Sequence, residues 1–478
     1  MSSFDTGIRQ VFEGKLYWSD LLPWYYTPKF ILMTIPIAVI VGMVLFFVFC
    51  WRKKEDRFWS FIVFFTFFFP VFWIVYTRAN VYGGWRHAMF AYPPMVVAAG
   101  LGFEGLVKWV EAKVQGSKSK AQSSNNGEQQ PKVKDLKPLV VNVGAVVLLL
   151  VLLAGPIRHI IANHPYEYVY FNELVGGTKN QLGQYELDYY YHSTREASEW
   201  IKANAEKKKD GSKVIVATWH TASVDYFFRK DTNDFQVKFE RWSEKENHDW
   251  DYAIFTVTGM NPDYLKSEYF PPKNTVKTID VDGVPIAVIL KREDKSDFKA
   301  YALRNNYRKI DSLILLYQQA LKADPYNQGA MLGLGEAYLR VGEFDSALLV
   351  LNRHLKFDPE LSDYSRAIVY LHKKDTATAI DIFHKLIKSN PKDVDSYDRL
   401  LQIHLERKDL VAARKEFLKA IDADQVTGKL EKLWVRYCDL QNIGETDAYI
   451  QLYRLTAESL EKRGRKKDAK VYREAIGE

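Results

Sequence analysis

The chain has 478 residues, a formal charge of +7 and two cysteines. So modest a charge, with no basic residues gathered beside stacking aromatics, excludes a nucleic-acid-binding surface. Cys50 and Cys438 have no near partner and there is no CxxC, which excludes a disulfide framework and a zinc ribbon. Aliphatic and aromatic residues crowd the first 160 positions, and Lys, Asp, Glu and Asn dominate the rest.

Residues 1–29 are mixed and polar and do not read as a signal peptide. Trp18, Trp24, Tyr25 and Tyr26 suit an aromatic belt at a membrane interface. Phe30 to Trp51 is apolar throughout and long enough, as a helix, to cross a hydrocarbon core of about 30 Å. Phe58 to Tyr76 makes a second span, with Pro70 inside it. Ala88 to Val110 makes a third, with Pro93-Pro94 near its start and Glu104 near its far end. Leu139 to Ile157 makes the fourth. Residues 30–157 therefore read as an α-helical membrane bundle of four spans.

Lys and Arg beside the spans set the orientation. Arg52, Lys53, Lys54 and Arg57 follow the first span, and Lys108, Lys113, Lys118, Lys120, Lys132, Lys134 and Lys137 lie around the polar linker at 111–137. The loop between the second and third spans holds only Arg78 and Arg86. The two basic loops are expected in the cytoplasm, with both chain ends outside, on the periplasmic side of a bacterial inner membrane. An outside N-terminus without a targeting signal suggests spans upstream of Met1.

Residues 158–293 alternate helix and strand and read as a small α/β domain. Thr194 to Ala205 is an amphipathic helix with Thr194 as N-cap. Lys213 to Thr218, Phe235 to Phe239 and Trp250 to Val257 are strands, and His220 to Phe228 is a helix. A further helix is capped near Asn261 and opened by Pro262. Thr275 to Ile279 and Val284 to Leu290 form a hairpin turned by Asp282-Gly283. No GxGxxG after a strand, no P-loop and no HExxH occurs, so no cofactor is indicated. The histidines lack ligand spacing, which indicates no metal.

From residue 294 to 478 the sequence repeats. Asp324-Pro325 recurs as Asp358-Pro359, as Asn390-Pro391 and weakly as Asp424-Gln425, at spacings of 34, 32 and 34 residues. Leu334, Gly335, Tyr338, Ala347 and Pro359 follow the tetratricopeptide order. Tyr397, Leu400, His404, Ala413, Phe417 and Ala420 occupy equivalent places in the third unit, and Tyr317 and Ala320 belong to an earlier partial one. Such an α-solenoid docks peptides or neighbouring domains.

Leu22 to Pro36 (LPWYYTPKFILMTIP), Tyr82 to Pro94 (YGGWRHAMFAYPP) and His164 to Tyr190 (HPYEYVYFNELVGGTKNQLGQYELDYY) resemble consecutive pieces of one family. It is the bacterial branch of the dolichyl-phosphate-mannose–protein mannosyltransferases, within the GT-C superfamily. The resemblance covers roughly residues 1–205. It departs after Asp188, where the family tends to have Tyr-Trp and then Gly and this chain has Tyr189-Tyr190-Tyr191-His192. The resemblance implies a membrane enzyme that moves a sugar from a polyprenyl-phosphate donor to a protein or glycan acceptor on the outer face. The family places its catalytic acid in a first outer loop that precedes the matched pieces. The resemblance thus implies the C-terminal part of such an enzyme, inactive alone. The alternative is a non-enzymatic membrane anchor whose repeats dock a protein partner.

Arg86 and His87, at the outer mouth of the third span, and Arg78 suit a donor phosphate, because guanidinium groups bond phosphate oxygens in pairs. Tyr170, Asn172, Glu186 and Asp188 could shape a sugar site or pack a junction between membrane and soluble parts. The catalytic residue is not identified. Asp5, Glu13 and Asp20 are the acids of the N-terminal segment and the candidates for a base.

Overall fold

The computed structural model describes residues 7–51, 57–122, 137–423 and 428–478. Asp5, residues 52–56 of the first basic loop, the middle of the polar linker and the weak repeat mark at Asp424-Gln425 lie outside the described residues. The chain divides into two compact units, Met1–Glu293 and Asp294–Glu478.

The first unit opens with an antiparallel hairpin of β1 (Arg9–Phe12) and β2 (Lys15–Trp18). Its turn places Glu13 and Gly14 at φ of 53° and 72°. Phe12 is wholly buried, with ring centroids 4.9 Å from Tyr26 and 5.6 Å from Tyr185.

The first apolar run is not one straight helix. It forms α1 (Tyr26–Thr34) and α2 (Ile37–Phe49), bent by 110° at the break. Pro36 is the cause. It has no N–H to donate, and its ring pushes Ile35 out of helical geometry, to φ −84° and ψ 148°. Pro70 within α3 (Arg57–Tyr76) and Pro156 within α5 (Lys137–Asn163) leave their helices continuous. A 3-10 turn, Arg86–Ala91, leads into α4 (Tyr92–Gln122). Among the described residues three helical stretches are long and apolar enough to cross a membrane, and four if the bent pair counts as one. Small residues let α2 and α4 approach closely. A Cβ added to Gly42 would lie 2.5 Å from Ala99 Cβ, and one added to Gly102 would lie 2.0 Å from the Gly42 carbonyl oxygen. The aromatic rings of α3 and the aliphatic side chains of α5 are mostly exposed in the chain alone.

The rest of this unit is the small sheet domain. After α6 (Ser193–Asn204) come β3 (Val214–Thr218), α7 (Thr221–Phe228), β4 (Phe235–Phe239), β5 (Tyr252–Thr256), α8 (Pro262–Leu265), β6 (Thr275–Val281) and β7 (Val284–Lys291). The strand order is β4-β3-β5-β7-β6. The first three strands run parallel, and β7 is antiparallel to both β5 and β6. β5 is buried along its whole length, which is why it reads as an unbroken apolar run. Asn261 caps α8, accepting from Asp263 N–H at 2.8 Å. Helix α6 begins one residue earlier than its sequence suggests. Thr194 is not its cap; the Thr194 hydroxyl donates to the Tyr191 carbonyl at 2.7 Å.

The tip of the β6–β7 hairpin is fastened to the end of α5. One Asp282 oxygen accepts from Asn163 Nδ2 at 2.7 Å. The other pairs with His159 Nδ1 and with the Thr178 hydroxyl, both at 2.9 Å. Asp282 N–H donates back to Asn163 Oδ1 at 2.8 Å.

The second unit is a succession of helix pairs: α9 (Ser296–Leu303), α10 (Ile310–Ala323), α11 (Gln328–Arg340), α12 (Phe344–His354), α13 (Pro359–His372), α14 (Thr376–Ser389), α15 (Val394–Glu406), α16 (Leu410–Asp422), α17 (Gly428–Asp439), α18 (Glu445–Lys462) and α19 (Lys466–Ala475). Asp358 caps α13 and Pro359 opens it. Ala347, Ala379 and Ala413, all fully buried, fill the tight crossings between paired helices. Gly335 does the same on α11, where an added Cβ would meet Leu351 at 2.8 Å.

Candidate functional site

The loop between α3 and α4 is pinned from below by the N-terminal hairpin. Tyr26 OH donates to Gln10 Oε1 at 2.7 Å and accepts from Gly84 N–H at 3.1 Å. Gln10 Nε2 donates to the Val81 carbonyl at 3.1 Å. Gly83 and Gly84 both take positive φ, 63° and 69°, which glycine adopts without steric cost. This fixes Arg86. Its guanidinium carbon stands 4.3 Å from the Tyr82 ring centroid, a cation–π contact. No carboxylate lies within ion-pair distance of Arg86 among the described residues. His87 is exposed, with its ring 4.9 Å from that of Tyr82.

Glu186 faces the same place. Its segment lies along the edge of β1, where Phe12 and Tyr185 form a bridge. Glu186 is only partly exposed. Burial pushes its pKa up to about 7, against the opposing pull of the Val11 N–H and the Arg86 charge. The structure thus brings together Arg86, from the start of the third apolar stretch, and Glu186, one hundred residues later in the sequence.

The other residues singled out from the sequence sit elsewhere. Arg78 is exposed, at φ 47°, and lines a cavity of about 350 Å³ together with Asp20, Trp24, Ile74 and Val75. Glu13 pairs with Lys29 and accepts from Tyr25 OH at 3.1 Å. The Lys29 bond holds the Glu13 carboxyl below its ordinary range. Tyr170 packs edge-on against His159, with centroids 5.2 Å apart, and its hydroxyl reaches Glu173 only at 3.4 Å.

Asn172 and Asp188 are both fully buried, and both bond residues at helix ends. Asn172 Nδ2 donates to the carbonyls of Leu32 at 2.6 Å and Ile35 at 2.9 Å, and its N–H donates to Met33 at 2.8 Å. It closes the break between α1 and α2. Asp188 accepts from the hydroxyls of Tyr168 and Ser193 and from His192 N–H at 3.2 Å, at the start of α6. Desolvation raises its pKa and the Ser193 and Tyr168 hydrogen bonds oppose that.

Sequence reasoning missed the roles of Gln10, Tyr26 and Asp282. Each acts on a partner 16 to 123 residues distant, so no local spacing marks it. The Asp282-Gly283 turn itself is legible.

In the repeat unit a half-buried polar row crosses two consecutive repeats. Arg399 Nε donates to Tyr364 OH at 3.3 Å and Arg399 NH1 to Gln402 Oε1 at 3.2 Å. Gln402 Nε2 donates in turn to Asp398 at 3.0 Å. Beneath it the buried Asp363 carboxylate lies between Arg366 and Lys385, each at 2.6 Å.

Tetratricopeptide repeat family profiles match residues 314–368 and 364–426. Superkiller protein 3 of Schizosaccharomyces pombe is 27% identical over 140 residues, 28% of this chain and 10% of that protein's length. Similar solved structures include a tetratricopeptide repeat protein from Parabacteroides merdae, 15% identical, covering 38% of this chain and 77% of that one, with a TM-score of 0.28. MamA is 19% identical, covering 36% and 89%, with a TM-score of 0.22. A thermophilic tetratricopeptide protein of Thermus thermophilus is 17% identical, covering 37% and 94%, with a TM-score of 0.24. Helix pairing, small residues at the crossings and matching family profiles together identify the C-terminal solenoid as tetratricopeptide repeats.

Proposed function

We propose that this protein is a membrane-anchored scaffold that docks a protein partner through its repeats. The apolar helices of the first unit span a bacterial inner membrane, with the basic loops inside and the sheet domain and repeats on the periplasmic side. The observation that carries the docking role is the row Tyr364, Arg399, Gln402 and Asp398. These polar groups are held ready by one another on the first helices of two adjacent repeats. A photo-crosslinking residue at Gln402, compared with one at the highly exposed Val411 of α16, tests it. A discrete adduct at residue 402 that Arg399→Ala abolishes is expected. No adduct, or the same adducts at both positions, would reject the docking face.

A second reading is favoured by Arg86. A guanidinium with no carboxylate at ion-pair distance among the described residues, steadied on Tyr82 near the half-buried Glu186, suits a phosphate and a proton acceptor in one place. With the mannosyltransferase resemblance, it supports transfer of a sugar from a polyprenyl-phosphate donor on the outer face to a protein or glycan acceptor. Arg86, with His87 and Arg78 in support, would hold the donor phosphate. Losing one charged hydrogen-bond partner costs about 1.5–3 kcal/mol, roughly 10- to 150-fold in rate. Arg86→Ala should slow donor use by that factor in membranes where transfer is measurable. An unchanged rate removes Arg86 from the reaction.

A further inference from the structure

The sheet domain has a feature that neither reading uses. β3 and β5 are parallel neighbours, and the chain leaves them in opposite directions, from β3 through α7 to β4 on one side and from β5 towards β6 and β7 on the other. Open α/β sheets bind ligands at such a switch point, outside the carboxyl ends of the strands. Trp219 follows β3 directly, and the Thr258-Gly259 turn follows β5.

Trp219 lies against Gly259, where an added Cβ would stand 2.3 Å from the indole ring. Gly259 also takes φ +92°, so both space and backbone require glycine there. The indole is fixed from beneath and still 42% exposed. His220 is nearly parallel to it, at 13°, and Tyr191 stacks on His220 with centroids 3.8 Å apart. Burial drives the His220 pKa down to about 4, so the ring is neutral at physiological pH. Thr258 Oγ1, one residue before Gly259, is buried without a hydrogen-bond partner.

The chemistry of the rim selects the ligand. Residues 217–224 and 256–260 contain no Asp, Glu, Lys or Arg. A Trp and a His occupy the β3–α7 turn where a pyrophosphate site needs glycines, which excludes a dinucleotide. A flat apolar surface bordered by hydroxyls and a neutral imidazole fits a molecule with one apolar face and several hydroxyl groups. We propose that Trp219, at the carboxyl ends of β3 and β5, is a stacking platform for an uncharged pyranose ring.

The test is saturation-transfer NMR on the full chain in lipid nanodiscs, avoiding sugar-based detergents. The probes are methyl α-D-mannopyranoside, methyl β-D-glucopyranoside, N-acetylglucosamine and, for comparison, adenosine. Transfer to the ring protons of at least one pyranose is expected, falling at least fivefold in Trp219→Ala. Trp219→Phe keeps a ring in place and should retain transfer at roughly one third of the original, which covers the case in which the alanine variant does not fold. No transfer to any pyranose, unchanged transfer in both variants, or stronger transfer to adenosine would each overturn the proposal.

Discussion

Asn172 stands in for the N–H that Pro36 lacks. In an unbroken helix residue 36 would donate to the Leu32 carbonyl, and here Asn172 Nδ2 does so at 2.6 Å from a residue fully buried and far along the chain. Asn172→Ala leaves the Leu32 and Ile35 carbonyls without these donors, and a buried polar group without a partner costs about 1–3 kcal/mol. Thermal unfolding in detergent should show that loss. Asn172→Asp should be worse than alanine, because a carboxylate presents acceptors to carbonyls. An aspartate variant as stable as the wild type would contradict this role.

Glu186 makes stability depend on pH in a direction opposite to most carboxylates. Its folded pKa is about 7, raised from 4.5, so the folded state favours the protonated form. The resulting stabilisation is fully present below about pH 4.5 and is lost as pH rises through about 7, a change of about 3 kcal/mol for a shift of this size. Glu186→Gln should flatten the melting temperature between pH 5 and 8 and raise it at pH 8. A melting profile identical to wild type would place the Glu186 carboxyl in water.

The Asp282 clamp separates charge from shape. Asp282 occupies φ 52°, a conformation asparagine also tolerates. Its carboxyl is held below the ordinary range by its bonds to Asn163, Thr178 and His159. Asp282→Asn should keep the turn and lose the charge-assisted bonds, while Asp282→Ala loses both. Hydrogen exchange at the end of α5, around residues 159–163, should rise in the order wild type, asparagine, alanine. Equal protection in all three would show that the hairpin tip adds nothing there.

Orientation is open to direct test by cysteine labelling in intact cells, after replacing Cys50 and Cys438. Asn247→Cys, in the sheet domain, should react with an impermeant reagent. Ser123→Cys, which lies outside the described residues in the polar linker, should react only after permeabilisation. The reverse pattern would invert the proposed topology.

The repeats were legible because their signals are local. Asp358 and Pro359 sit side by side, and Ala347 must be small wherever two helices cross closely. The elbow at Pro36 was not. Pro70 and Pro156 stand in similar apolar runs and leave their helices intact, so proline alone does not decide. At Pro36 the break is completed by a buried donor, Asn172, which arrives from another part of the chain and takes up the Leu32 and Ile35 carbonyls. The start of α6 follows the same logic, since Asp188, five residues before Ser193, accepts from the Ser193 hydroxyl and from the His192 N–H where the helix begins, and Thr194 is not the cap. Of the candidate site, Arg86 and Glu186 were each recognisable, but their convergence depends on a strand edge that only the folded hairpin creates.

For the proposed membrane orientation the elbow has a further consequence. α2 has 13 residues. At about 1.5 Å per residue that is roughly 20 Å, against a hydrocarbon core of about 30 Å. In a bilayer the shortfall is met by local thinning, or by α1 lying along the interface while headgroups sink towards Asn172. In the orientation proposed above, either response would leave a shallow dimple in the outer leaflet on the side of the α1–α2 elbow.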